Sequence, residues 1–222
     1  MKKIFLFILL SGFCVFLYSQ TMKEHSHSID TDVKVKGAMH LPEGWELRFD
    51  KSNASKTDMR LVKEQDYYHF TSGPAAIYYN PKDKESSEYK VEANFIQTKP
   101  SKHPEAYGIF FAGSNLQKDN QHYLYFLVRQ DGKYLIKERN GKDTKEIIKW
   151  TAHKNVNAQN KSGQTINKIS VMVGKNDVNF SANDKTVITL NKKDLGNTDG
   201  IAGLRINHNL DVKATSLIVG KL

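Results

Sequence analysis

One cysteine in 222 residues, Cys14, leaves the chain no partner with which to close a disulfide. That cysteine also falls in a segment the mature protein is expected to lose. "MKK" supplies a positive start, "IFLFILLSGFCVFLY" an apolar stretch too short for a comfortable membrane span, and "SQ" a small-residue exit; together they read as a secretory signal peptide over residues 1–20. Phe13 stands where a lipobox wants a small residue, so cleavage near Gln20 or Thr21 is favoured over lipidation at Cys14. The expectation is an exported protein, periplasmic or extracellular, in a bacterial envelope setting and without a transmembrane span. Its stability then rests on packing and hydrogen bonds, or on a bound metal.

Also missing is any dense run of one charge. Lys and Arg total 33 against 24 Asp and Glu, a net charge of +9 that drops to +7 when Lys2 and Lys3 leave with the signal. The lysines are scattered between apolar residues, with no basic helix, which describes a solvated basic surface rather than a nucleic-acid footprint. Export points the same way. Residues 21–42 read as a polar arm. His25 and His27 within it could clip a metal, but no third ligand converges on them.

No segment carries the pattern of a long amphipathic helix. From Glu46 onward the period is two: "WELRF", "YYHFT", "AAIYY", "EYKVEANFIQ", "YGIFFAG", "HYLYFLVRQ", "KYLIKER", "NKISVMVG", "KTVITL" and "VKATSLIVG" are short, rich in Val, Ile, Tyr and Phe, and separated by Gly, Pro, Asn and Asp. A chain with a dozen or more such strands must stack or close its sheets to bury their inner faces. The expected fold is therefore all-β, an antiparallel two-sheet β-sandwich in a single domain over residues 43–222.

Turn residues set the register. Asp131-Gly132 between two strands supports a two-residue hairpin loop, which would pair Arg129 with Tyr134, Val128 with Leu135, and Tyr125 with Glu138. Asn140-Gly141 and Asn183-Asp184 signal further hairpins. In that register Leu124, Phe126, Val128 and Leu135 share the core face, while Tyr123, Tyr125, Arg129, Tyr134 and Glu138 share the other, along with Leu127 and Ile136. Rings beside charged groups suit a saccharide, covering its C–H patches and orienting its hydroxyls; they also suit a plain solvated sheet face. Lys137, opposite Phe126 on the core face, counts against this register.

With these segments on the page, the chain resembles the concanavalin A-like lectin/glucanase superfamily, in its laminin-G-type and 3-keto-disaccharide hydrolase-type branches. The resemblance runs over roughly residues 43–222 and is carried by "GWELRFD", "YYHFTSGPAAIYYNP", "SEYKVEANF", "AYGIFFAGSN", "HYLYFLVRQDGKYLIKERNG" and "GIAGLRINHNLDV". It implies a jelly roll whose concave sheet takes the ligand, with Tyr123, Tyr125, Arg129, Tyr134, Glu138, Arg205 and Asn207 facing it. Alternation in "IAGLRIN" agrees for Arg205 and Asn207, and Gly203 would leave room for a ring or a ligand. Trp150 is either a stacking platform at the rim or a seal on the core edge. His208-Asn209 reads as the turn into the last strands. By analogy of fold, Asp50 and Asp211 could hold a structural calcium ion; otherwise they are turn aspartates.

The catalytic motifs are absent as well. There is no E-x-D-x-E carboxylate strand, no G-x-S-x-G, no H-E-x-x-H and no phosphate loop, and Glu64 and Asp66 lack a third partner in their run. The reading is a secreted, non-catalytic carbohydrate-binding module whose partner is a saccharide. The alternatives are a glycoside hydrolase or 3-keto-disaccharide hydrolase-like enzyme, and a structural envelope protein.

Overall fold

The computed structural model describes residues 31–222; the expected signal peptide, with Cys14, and the His25/His27 stretch lie outside the described residues. In chain order the strands are β1 (Glu46–Phe49), β2 (Met59–Glu64), β3 (Tyr67–Ser72), β4 (Ala76–Tyr79), β5 (Lys84–Glu85), β6 (Tyr89–Gln97), β7 (Ala106–Ser114) and β8 (His122–Arg129). They continue as β9 (Lys133–Asn140), β10 (Asp143–Ala152), β11 (Thr165–Val173), β12 (Asp177–Ala182), β13 (Lys185–Asn191), β14 (Gly200–Ile206), β15 (Asp211–Thr215) and β16 (Ile218–Lys221). One eight-stranded sheet runs β1-β4-β14-β7-β8-β9-β10 with β5 beside β14; the other runs β13-β12-β11-β6-β15-β3-β2 with β16 beside β6. No helix among the described residues is long and apolar enough to cross a membrane.

Alternation explains the layering. Strand β6 buries every second residue, and its inward Tyr89, Val91, Ala93 and Phe95 join Val171, Phe180 and Val212 of their own sheet against Tyr78, Tyr107, Phe126 and Leu204 of the other. Rings close the gap between layers, with centroids 4.8 Å apart for Phe70 and Tyr78, 5.2 Å for Phe95 and Tyr107, and 5.4 Å for Phe126 and Phe180. Strands β7 and β8 break the pattern: nearly every residue in them is buried, on both faces. The first sheet therefore carries a second apolar layer on its outer side. Residues 31–42, at the end of the expected arm, are bonded to the sandwich, with a bridge between Met39 and Leu61 and a hydrogen bond from His40 N to Leu61 O.

The β8–β9 register differs from the expected one by a single residue. Arg129 faces Lys133, Val128 faces Tyr134, Leu127 faces Leu135, and Tyr125 faces Lys137, because the loop has three residues, Gln130-Asp131-Gly132. Gly132, at φ +76°, donates its N–H to Arg129 O at 3.1 Å, as in a tight turn closed by a left-handed glycine. One residue of slip turns every β9 side chain over. Tyr134 accordingly points into the core, edge-on to Phe126, rather than outward. Glu138 faces Leu124 and bonds His122 at 3.0 Å, away from the outer-face residues with which it was expected to lie. Lys137 turns outward to Glu146, 3.3 Å away, and its cost in the core disappears. Gly132→Ala is expected to cost about 1–2 kcal/mol, since an L side chain is strained at that φ and its Cβ would lie 3.3 Å from Val156 O. A lower urea midpoint with an unchanged slope would register it.

The other expected turns fall where the sequence put them. Asn183 and Asp184 both adopt positive φ, 53° and 62°, between β12 and β13; Gly141 takes 58° between β9 and β10; Asn209 takes 55° before β15.

Candidate functional site

The outer layer on the first sheet gathers Ile77, Tyr79, Phe110, Tyr123, Tyr125, Leu127 and Leu135, with Trp150 and Ile201 packed against it. Cross-strand pairing puts Arg205 in the same row, opposite Ile77 and Gly108, and Arg48 opposite Ile77 from the other side. Arg205 thus lies over an apolar floor, 7% exposed. A buried guanidinium needs a counter-charge, and Asp50, just beyond β1, supplies it through two hydrogen bonds of 2.5 Å each. Burial alone would raise the Asp50 carboxyl; the charge and hydrogen bonds of Arg205, helped by Arg139 and Arg48, hold it below its usual range. Burial pushes the Tyr125 phenol up to about 12, against the pull of Arg205, whose guanidinium carbon lies 5.6 Å from that ring's centroid.

Two cavities meet at Arg205. The larger, 380 Å³, is lined by Tyr125, Arg129, Lys137, Trp150, Arg205 and Asn207, with Pro104 and Glu105 on its rim. The smaller, 230 Å³, is lined by Asp32, Asp50, Lys51, Glu105, Arg205 and His208 among others. Arg205, Asn207 and Glu105 belong to both. Two buried atoms here have no hydrogen-bond partner among the described residues: Arg205 Nε, a donor, and Asn207 Oδ1, an acceptor. The amide orientation follows from chemistry, because Asn207 Nδ2 donates to Glu105 Oε2 at 3.3 Å and a carboxylate can only accept. A third pocket, 690 Å³, lies where loops beside β14 meet, lined by Glu85, Asn115, Asn197 and Asp199; it has neither an aromatic ring nor either of these orphan atoms.

The walls are fixed by their own bonds. Arg129 grips Asp131 through two hydrogen bonds of 2.7 and 2.8 Å while stacking 4.3 Å above Trp150. Gln130, buried in the β8–β9 loop, accepts from Gln97 and Ser101 and donates back to Ser101 O, which holds the loop that delivers Pro104 and Glu105. His208 joins Glu105 at 2.9 Å to Asp32 at 3.1 Å.

Of the residues singled out from sequence, Tyr125, Arg129, Trp150, Arg205 and Asn207 line one groove. Tyr123 lies on the same outer face but is covered, at 1% exposure, with its hydroxyl 3.5 Å from Arg205. Tyr134 and Glu138 are turned away by the register. Trp150 packs against the outer layer rather than the sandwich core. The space over Gly203 is taken by a ring, that of Phe110, 2.3 Å from where a Cβ would stand. Of the two aspartates suggested for calcium, Asp50 gives both oxygens to Arg205, whereas Asp211, on the other sheet, bonds Thr98, His69 at 2.7 Å and Lys99 at 3.0 Å. Glu64 also has partners the run of sequence hid, His69 and Lys213, each at 2.8 Å. Sequence reasoning missed Lys137, Glu105 and Asp32. Lys137 was detectable, since its misfit in the core argued for the three-residue loop; the other two are loop residues without periodicity.

No family model matches the chain, and no curated protein matches it. Solved structures do. The carbohydrate binding module CBM66 from Bacillus subtilis aligns with a TM-score of 0.56 at 8% identity, over 85% of this chain and 100% of that one. The exoplasmic/lumenal domain of VIP36, in its Ca2+/Man3GlcNAc-bound form, aligns at 0.54 and 8%, over 81% and 84%. An alginate lyase of polysaccharide lyase family 7 aligns at 0.51 and 10%, over 80% and 94%. At such identities the likeness speaks for architecture. The two stacked antiparallel sheets share the jelly-roll β-sandwich fold of these structures.

Proposed function

We propose that this chain is an exported, non-catalytic saccharide-binding module whose ligand lies in the groove over the outer face of the first sheet. One observation carries the reading: a preformed, largely polar groove lined by Tyr125, Arg129, Trp150, Arg205 and Asn207 holds a buried, unpartnered donor and acceptor, Arg205 Nε and Asn207 Oδ1. Fixed polar atoms in a groove orient the hydroxyls of a sugar. Two neighbours in fold, a carbohydrate binding module and a domain bound to Man3GlcNAc, support the same use of the architecture here. Affinity electrophoresis against a polysaccharide panel tests it. Trp150→Ala and Asn207→Ala are each expected to weaken retention about tenfold, equivalent to about 1.4 kcal/mol, with an unchanged circular dichroism spectrum. Retention indifferent to both substitutions would remove the groove from consideration.

A second reading has one observation in its favour. Asp32, Asp50 and Glu105 all line the smaller cavity, and paired carboxylates are what glycoside hydrolysis requires. Turnover that survives extensive purification and vanishes in Glu105→Gln would establish a glycoside hydrolase or 3-keto-disaccharide hydrolase-like enzyme.

A further inference from the structure

The chain is basic overall, which by itself would favour acidic polysaccharides. The groove argues otherwise. Each charged side chain on its walls already has a partner inside the protein: Arg205 pairs with Asp50 at 2.5 Å, Arg129 with Asp131 at 2.7 Å and Lys137 with Glu146 at 3.3 Å, and Glu105 is hydrogen-bonded to His208 at 2.9 Å. A ligand carboxylate or sulfate would have to displace one of these pairs, and breaking the buried one leaves a desolvated charge behind. At the junction the carboxylates of Asp32, Asp50 and Glu105 stand among Lys51, Arg205 and His208, so no unpaired cation among the described residues is left there to draw an anion. What remains unmatched is one donor and one acceptor, the donor on a guanidinium whose charge Asp50 already balances.

That set discriminates by chemistry. A carboxylate or sulfate oxygen only accepts; it can meet Arg205 Nε but opposes Asn207 Oδ1 lone pair to lone pair. A hydroxyl both donates and accepts, so neighbouring hydroxyls of one sugar can serve the donor and the acceptor alike. Arg205 and Asn207 lie two residues apart on one face of the chain, about 7 Å along it, which brings both within reach of a single sugar residue. Resting on the saccharide reading above, we infer that the groove selects neutral, polyhydroxylated sugars and rejects uronate or sulfated ones, its specificity set by Arg205 Nε and Asn207 Oδ1.

The test uses the whole mature chain in affinity electrophoresis and calorimetry. Neutral polymers (β-glucan, galactomannan, levan) are compared with acidic ones (alginate, polygalacturonate, chondroitin sulfate) at about 50 mM and about 500 mM NaCl, a range over which screening of exposed charges changes strongly. The expected result is retention by at least one neutral polymer, with a Kd that moves less than about twofold between the two salts and weakens about tenfold in Asn207→Leu. Retention by acidic polymers alone, lost at high salt, would overturn the inference while leaving saccharide binding in place. Neutral retention unchanged in Asn207→Leu would overturn the assignment of specificity to that atom pair. No retention by any polymer would overturn the saccharide reading itself, and the inference with it.

Discussion

Asp50→Ala is expected to lower unfolding stability by about 3 kcal/mol at neutral pH, and Arg205→Ala by a similar amount, the range for removing one partner of a buried ion pair. The loss measures the charge left behind more than the attraction removed. Arg205 is 7% exposed over an apolar floor and has no other carboxylate at bonding distance among the described residues, so losing Asp50 strands a buried guanidinium. Arg205→Met combined with Asp50→Leu removes both charges and is expected to recover at least half of either single loss. Urea unfolding of the parent, Asp50→Leu, Arg205→Met and the double variant closes the cycle; additive single losses would mean the pair is not coupled. The pair also predicts a pH dependence. Asp50 is held below its usual value of 3.8, so its contribution is complete above that value and is lost as pH falls through the depressed one in the folded chain. Asp50→Asn should therefore lose stability less steeply than the parent below about pH 4. Because these substitutions disturb the fold, they are poor probes of ligand affinity, and Asn207 and Trp150 serve better there.

The two-sheet fold was legible because burial on one face leaves a period of two, and β6 keeps it without interruption. The Asn183-Asp184 turn was legible because few residue types accept positive φ. Strand β9 pairs one residue away from the expected register, since Asp-Gly serves a two-residue loop and the end of a three-residue one equally well. The tie-breaker lay elsewhere: Lys137 belonged with Tyr125 rather than with Phe126. Arg205 and Asn207 followed from alternation within one strand, whereas Tyr134 and Glu138 depended on pairing between strands, and only the former could be read locally. Burial on both faces of β8 was not foreseeable from "HYLYFLVR" alone, because a continuous apolar run has no period to say which side faces solvent. That is why Tyr123, expected at the ligand surface, is floor instead. Glu105 and Asp32 come from irregular segments placed by contacts distant in sequence, such as the Gln130 clamp on Ser101, and no local rule finds those.

Gly203→Ala is expected to cost about 3 kcal/mol, at the upper end for overpacking, although the change adds one methyl group. Its Cβ would stand 2.3 Å from the Phe110 ring and 2.4 Å from the Tyr78 carbonyl oxygen. Those obstacles differ in kind. The ring can tilt, but only into Tyr123 and Tyr79, whose centroids lie 5.3 and 6.0 Å away; the carbonyl belongs to the neighbouring strand β4 and cannot move without shifting that strand. Adding Phe110→Leu to Gly203→Ala should therefore restore less than half of the loss. Gly196→Ala is the control: its φ is +71° but nothing lies within 4 Å of the added carbon, so only the backbone strain of about 1 kcal/mol is due. A Gly203→Ala midpoint no lower than that of Gly196→Ala would mean that the Phe110 ring does not rest on this glycine. The outer layer would then lose the contact that seats Phe110 beneath Tyr123, and with it the firm support from which Arg205 reaches Asp50.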